Sequence, residues 1–178
     1  MGNIQSRTAA FMRSLQKQVG TAWISKRALA SMVREFRLGL PYETGGVLIG
    51  YRLEDSEGVV ITEAVGPGPC AKHGKTTFVP DPYYHESEIA RLYEQSGRVN
   101  TYLGDWHSHP NSVTRLSPTD RCTLLKIAKH KDARVPTPLM AIIGASDPPT
   151  FQIWQYLAGG MFGVFRSKVV ALKIRQFS

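Results

Sequence analysis

His107, His109, Ser117 and Asp120 lie together in the stretch HSHPNSVTRLSPTD, residues 107–120. Two histidines two apart at the end of a strand project from the same face, close enough for their imidazoles to share one metal ion. Asp120, in the first turn of the following helix, can swing its carboxylate back toward the strand end. Two imidazoles and a carboxylate make a three-ligand zinc site with a fourth position left for water, the arrangement of catalytic rather than structural zinc. Such a site lowers the pKa of its water from ~15.7 to about 7, which suits hydrolysis. Hydrolysis also needs a proton acceptor, and Glu43 in PYETGGVLIG offers one.

The plainer explanation of the stretch is a strand end, a polar turn and a helix start capped by Ser117, Pro118 and Asp120. That covers only its second half. With this chain's composition, H-x-H-P-x6-S-x2-D arises by chance on the order of once in 10⁵ sequences. His73, His85 and His130 have no comparable spacing and are read as surface or satisfied core residues. Taken alone, Glu43 is an ordinary loop carboxylate, although Thr44, Gly45 and Gly46 after it let another segment approach closely.

The elements that must position these residues can be read coarsely. Ser25 caps a helix to about Leu38 that turns Ala28, Leu29, Met32, Val33 and Phe36 to one face. Gly39 and Pro41 end it. Gly46–Tyr51 and Val59–Val65 read as strands joined by a turn at Glu57-Gly58. After a Gly/Pro loop, a short strand near Thr76–Val79 precedes a helix from about Tyr83 to Gln95, with Ile89, Leu92 and Tyr93 inward. Val99–Trp106 is a strand and Pro118–Lys131 a helix. Pro138–Gly144, Phe151–Leu157 and roughly Met161–Ile174 supply further strands. Mixed elements without regular alternation predict an α+β domain built on one curved, mixed sheet flanked by helices.

At 178 residues the chain has the size of about one domain. No apolar run approaches the roughly 20 residues that span a bilayer, so a soluble protein with no transmembrane segment is expected. Cys70 and Cys122 form no CxxC pair, which argues against a disulfide framework or a thiolate zinc site and fits a reducing, cytoplasmic setting. The net charge is +8, all of it from the ends. Arg7, Arg13, Lys17, Lys26, Arg27 and Arg34 precede the first acidic residue, Glu35, and Arg166, Lys168, Lys173 and Arg175 follow the last, Asp147. Such ends can meet nucleic acid, an anionic membrane or an acidic protein, or simply be solvated. No aromatic-basic interleaving of a nucleic-acid module is present, so no nucleic-acid partner is expected.

Residues 1–23 read as an extension ahead of a domain spanning 24–178. Met1-Gly2 with Ser6 fits the loose myristoylation pattern. Ile4, Phe11, Leu15 and Val19 recur at near-helical spacing in an acid-free stretch, as in a transit peptide or an amphipathic docking helix. A secretory signal is not expected, because there is no apolar h-region.

E-T-G-G-V-L-I-G, followed about 60 residues later by G-D-W-H-S-H-P-x6-S-P-T-D, resembles the JAMM (MPN+) zinc metalloprotease family over roughly Ile24 to Leu157. Every position of that family's signature is filled. The resemblance implies a JAB/MPN-like domain with one Zn2+ per chain on His107, His109 and Asp120. It also implies Glu43 as general acid/base and Ser117 as the donor that steadies the oxyanion. The implied reaction is hydrolysis of an amide, often the isopeptide bond between the C-terminus of a ubiquitin-like modifier and a lysine.

The Y-L-G-D-W-H-S-H-P phrasing is most similar to stand-alone bacterial members encoded beside E1-like and E2-like enzymes in anti-phage operons. This implies as partners a ubiquitin-like modifier, or a conjugated nucleotidyltransferase, with its protein conjugates, and the E1-like and E2-like enzymes themselves. Two alternatives stand beside it. One is a peptidase that trims the tail of a ubiquitin-like or sulfur-carrier protein to expose Gly-Gly. The other, outside the enzymes, is a basic module binding nucleic acid or membrane.

Overall fold

The apolar alternation of the strand segments assembles into one mixed sheet in the computed structural model, which describes residues 20–54, 58–111, 114–159 and 167–178. In chain order the described strands are β1 (Thr21–Ser25), β2 (Gly45–Arg52), β3 (Val59–Val65), β4 (Lys72–His73), β5 (Phe78–Val79), β6 (Thr101–His109), β7 (Leu139–Gly144), β8 (Thr150–Leu157), β9 (Lys168–Ala171) and β10 (Lys173–Phe177). Eight of them form the main sheet in the order β10-β1-β3-β2-β6-β7-β8-β9, and β4 and β5 pair separately as a small hairpin. The α-helices among these residues are α1 (Lys26–Gly39), α2 (Pro82–Gln95) and α3 (Pro118–Lys129). This is the α+β class with a curved mixed sheet that the sequence predicts.

Alternation along the central strands divides the core into two faces. Leu48, Trp106, Leu139, Ala141 and Ile143 pack with Ala28, Met32 and Phe36 of α1. Val47, Ile49 and Val65 look the other way and meet Ile89 and Leu92 of α2. Met140 and Ile142 on that second side pack with Leu124 of α3. Each fully buried Leu, Ile or Met contributes roughly 1.5–3 kcal/mol of transfer free energy, so these faces fix which side chains are left to project between α2 and α3. Ser25 caps α1 as expected, accepting from the Ala28 N–H at 2.9 Å while its hydroxyl donates to the Thr62 carbonyl at 2.7 Å.

The two ends of the sheet are drawn together at Leu172, between β9 and β10. Its N–H donates to the Ile153 carbonyl on β8 at 2.9 Å, and its carbonyl accepts from the Gln152 side chain at 3.1 Å. β9 thus pairs with β8 while β10 pairs with β1 across the far edge, which curves the sheet around α1.

Several boundaries differ from the sequence reading. Thr21, Ala22 and Trp23, placed there in the extension, belong to β1, which lies parallel between β3 and β10. The strand expected over 161–174 is two, β9 and β10, and residues 160–166 lie outside the described residues. β6 runs on to His109 before Pro110 stops it, and α3 ends at Lys129 ahead of a 3-10 turn at Lys131–Ala133. The helical spacing of Ile4 to Val19, the myristoylation pattern, Arg7, Arg13, Lys17 and Arg166 also lie outside the described residues. Of the other terminal cations, Arg27 pairs with Glu63 and Arg34 with Glu35. Lys168 and Lys173 are exposed, and the Arg175 guanidinium lies 5.3 Å from the centre of the Trp23 ring. Among the described residues no helix is long and apolar enough to cross a membrane.

Candidate metal centre

A bulge in β6 aims the two histidines. β6 pairs antiparallel with β2, but its register skips one residue: Leu48 lies opposite Gly104 and Ile49 opposite Tyr102, leaving Leu103 extra. Such an insertion reverses the side-chain alternation beyond it. Asp105, His107 and His109 consequently share the face of Tyr102, toward α2 and α3, while Trp106 enters the core against α1. Gly104 makes this possible. Its φ is +146°, and a Cβ would stand 2.1 Å from the Leu139 carbonyl oxygen.

The Gly45-Gly46 start of β2 lies directly alongside. A Cβ on Gly45 would approach the Trp106 carbonyl to 2.4 Å, and one on Gly46 the Val65 carbonyl to 2.0 Å. That second carbonyl accepts the Trp106 indole N–H at 2.8 Å, so glycine is required for the strand and the tryptophan to lock together.

The metal-binding side chains converge at the end of β6 and the start of α3. His107 Nε2 and His109 Nε2 are 2.9 Å apart, Asp120 Oδ1 is 3.2 Å from the first, and Asp120 Oδ2 is 3.8 Å from the second. Donors bonded to one tetrahedral Zn2+ at ~2.0–2.1 Å stand about 3.3 Å from one another, and these separations bracket that value. Lone-pair donors of nitrogen and oxygen type at this spacing fit a divalent metal.

Ser117 and Asp120 form a reciprocal capping box at the same helix start. The Ser117 N–H donates to Asp120 Oδ2 at 2.7 Å, and the Asp120 N–H donates to Ser117 Oγ at 3.1 Å. One carboxylate oxygen is therefore engaged by the cap and the other is turned toward His107. Burial pushes the Asp120 carboxyl up, but the His107 hydrogen bond and charge and the two Ser117 contacts outweigh it and hold the pKa at about 2. Asp120 stays ionised, as a ligand must.

Glu43 reaches the same cleft from the loop between α1 and β2. The cleft has a volume of about 700 Å³ and is lined by Glu43, His107, His109, Ser117 and Asp120, together with Lys75 and Phe78 from the β4–β5 hairpin. All five residues singled out in the sequence thus share one cavity. Burial raises the Glu43 pKa above its ordinary value; His107 and His109 oppose the rise and Asp120 adds to it. Deeper in the cleft, Asp105 accepts from the Tyr102 hydroxyl at 2.6 Å, and burial raises its pKa too.

Residues not singled out in the sequence fix Glu43 to the metal-binding strand. Ser108, between the two histidines, faces away from them with no exposed surface. Its hydroxyl accepts the Thr44 N–H at 2.9 Å, and its own N–H donates to the Thr44 carbonyl at 2.8 Å. The signal for this pair was present: a small polar residue on the inward face of a buried strand needs a partner.

Known proteins resemble this chain in sequence and in fold. A family model described as prokaryotic homologs of the JAB domain matches residues 25–157. A probable metalloprotease of Sinorhizobium fredii is 38% identical over 122 residues, covering 68% of this chain and 74% of that protein. A CD-NTase/cGAS isopeptidase of Enterobacter hormaechei is 30% identical over 138 residues, covering 75% of this chain and 72% of that protein. The solution structure of a Desulfitobacterium hafniense protein superposes with a TM-score of 0.64 at 19% identity, over 88% of this chain and 93% of that one, which shows a shared fold.

Proposed function

We propose that this chain, which belongs to the JAB/MPN+ metalloprotease family, is a zinc-dependent isopeptidase acting on the amide between the C-terminus of a ubiquitin-like or similarly conjugated protein and its target. The observation that carries the reading is the convergence of His107, His109, Asp120, Glu43 and Ser117 on one cleft. Held by His107, His109 and Asp120, Zn2+ would supply Lewis acidity toward the scissile carbonyl and the attacking water.

The chain's own groups divide the remaining work. Glu43 removes a proton from water as its oxygen bonds to the carbonyl carbon and passes that proton to the lysine nitrogen as the C–N bond breaks, which releases a carboxylic acid and an amine that then ionise to carboxylate and ammonium. Its raised pKa makes Glu43 a stronger acceptor of the water proton, and the departing amine, far more basic than a carboxylate, still takes that proton from it. Ser117 accepts the Asp120 N–H with a lone pair, which leaves its O–H proton to donate to the oxygen that gains charge. The capping box keeps Asp120 from rotating and so sets the distance between that donor and the ligand cluster.

The isopeptide substrate is supported by the relative named as a CD-NTase/cGAS isopeptidase, matched over 72% of its length. On this reading the chain works in a bacterial conjugation system linked to anti-phage defence, in the cytoplasm, with E1-like and E2-like enzymes as functional partners. The exposed Lys168, Lys173 and Arg175 suit an acidic face on the folded conjugate. The test presents the purified protein with a lysine-linked conjugate and with the same modifier carrying a linear C-terminal extension, and reads both products by mass. Release of the intact modifier from lysine is expected. Cleavage of the linear extension alone would assign the chain to precursor trimming instead.

A further inference from the structure

Glu43 is held by both of its backbone groups, and both holds come from the β4–β5 hairpin. The Glu43 N–H donates to the Gly74 carbonyl at 2.8 Å, and the Glu43 carbonyl accepts from His73 Nδ1 at 2.9 Å. The next residue, Thr44, is bonded on both sides to Ser108 of β6. Three consecutive peptide units are thus fixed: the one entering Glu43 to the hairpin, the one leaving Thr44 to the strand that carries His107 and His109, and the one between Glu43 and Thr44 to both. His73 is itself oriented: its ring tilts against Phe78 with 5.5 Å between centroids, and the Phe78 ring lies so near β2 that a Cβ on Gly45 would meet it at 2.9 Å. A carbonyl oxygen only accepts, so His73 must carry its proton on Nδ1.

We propose that His73 is a positioning residue for Glu43. Its Nδ1–H fixes the peptide plane from which the Glu43 side chain enters the cleft, and through it the distance of that carboxylate from the atoms it deprotonates. This rests on the reading of Glu43 as the proton acceptor. The bond lies near solvent, where water can replace it, so its loss loosens the loop without unfolding it. Misalignment of a reacting group by a fraction of an ångström is nevertheless felt in turnover.

The test uses two substitutions in the full chain. His73→Phe keeps a ring against Phe78 and removes the donor, whereas His73→Asn removes the ring and returns an N–H donor close to the position of Nδ1. Kinetics are read on a quenched fluorescent probe with Gly-Gly joined to a lysine side chain, alongside zinc content and melting temperature. Losing one exposed hydrogen bond at this position is expected to lower kcat roughly 3- to 10-fold, with KM within about 2-fold and zinc content unchanged. His73→Asn should recover most of that loss. Added to Glu43→Gln, His73→Phe should cost nothing further, because the carboxylate it positions is gone.

An unchanged kcat in His73→Phe would overturn the proposal. So would a loss that Asn does not restore, or an equal loss in the Glu43→Gln background. Should Glu43→Gln alone keep full turnover, the failure would lie in the assignment of Glu43, a result separable from either single His73 variant.

Discussion

Ser108→Ala isolates the tie between the proton acceptor and the metal-binding strand. Ser108 has no exposed surface and Thr44 only 1%, so removing the hydroxyl leaves the Thr44 N–H buried without an acceptor. An orphaned buried donor of this kind costs about 1–3 kcal/mol. For a domain of this size each kcal/mol lowers Tm by about 2–4 °C, so the melting temperature should fall by roughly 2–12 °C. The reverse bond, from the Ser108 N–H to the Thr44 carbonyl, is main chain and survives, so β2 stays beside β6.

Ser108→Ala should act on turnover through Glu43. A small shift of the loop moves the carboxylate off line, and kcat should drop by about 10-fold or more. Metal content should hold, because His107 and His109 project from the opposite face of β6. Calorimetry, metal analysis and kinetics on the isopeptide probe measure all three quantities in one preparation. Ser108→Thr separates the hydroxyl from packing: its extra methyl strains a filled core by about 1–3 kcal/mol, but kcat should stay near that of the parent. A Ser108→Ala protein with parental Tm and kcat would show that the Ser108 hydroxyl does not hold the Glu43 loop in place.

Glu43→Gln should keep zinc while turnover falls by at least about 10²-fold, and loss of zinc would reassign Glu43 as a ligand. Burial raises the Glu43 pKa above 4.5, so kcat/KM should fall as pH drops through that higher value and Glu43 takes up its proton; the limb should be missing from the residual rate of Glu43→Gln. Ser117→Ala should lower kcat by about 10²-fold through the lost oxyanion donor, with a further loss of about 0.5–2 kcal/mol of stability from the broken cap. Reversing the charges of Arg166, Lys168, Lys173 and Arg175 should weaken cleavage of a folded conjugate but not of the short probe. Raised salt should mimic it, since exposed charges are screened beyond about 8 Å at physiological ionic strength; unchanged conjugate kinetics in both tests would return these residues to a solvated face.

The metal-binding residues were legible because their geometry is local. Period-2 alternation relates His107 to His109, and an N-cap relates Ser117 to Asp120, so types and spacing alone bring three ligands near one another. Glu43 was legible only as a carboxylate before two glycines and through the family resemblance, since its path to the cleft depends on Thr44 meeting Ser108, 64 residues on.

What could not be read rests on distant partners. β1 is five residues of TAWIS whose strand character comes from lying between β3 and β10, not from its own alternation. The bulge at Leu103 follows from the close approach of Gly104 to Leu139, and the sequence carries it only as an isolated glycine in a strand. His73 looked like a surface histidine because its partner is a main-chain carbonyl 30 residues earlier, which leaves no trace in residue types.

Peptide-bond cleavage is expected to depend on a metal held by His107, His109 and Asp120. Metal analysis of the purified protein, joined to isopeptide cleavage before chelation, after it and after zinc is restored, tests this most directly. The expected result is about one zinc per chain, loss of that zinc in His107→Ala, His109→Ala and Asp120→Ala, and activity that disappears and returns with the metal. Full-length protein that stays metal-free and still cleaves the isopeptide under chelation would contradict it.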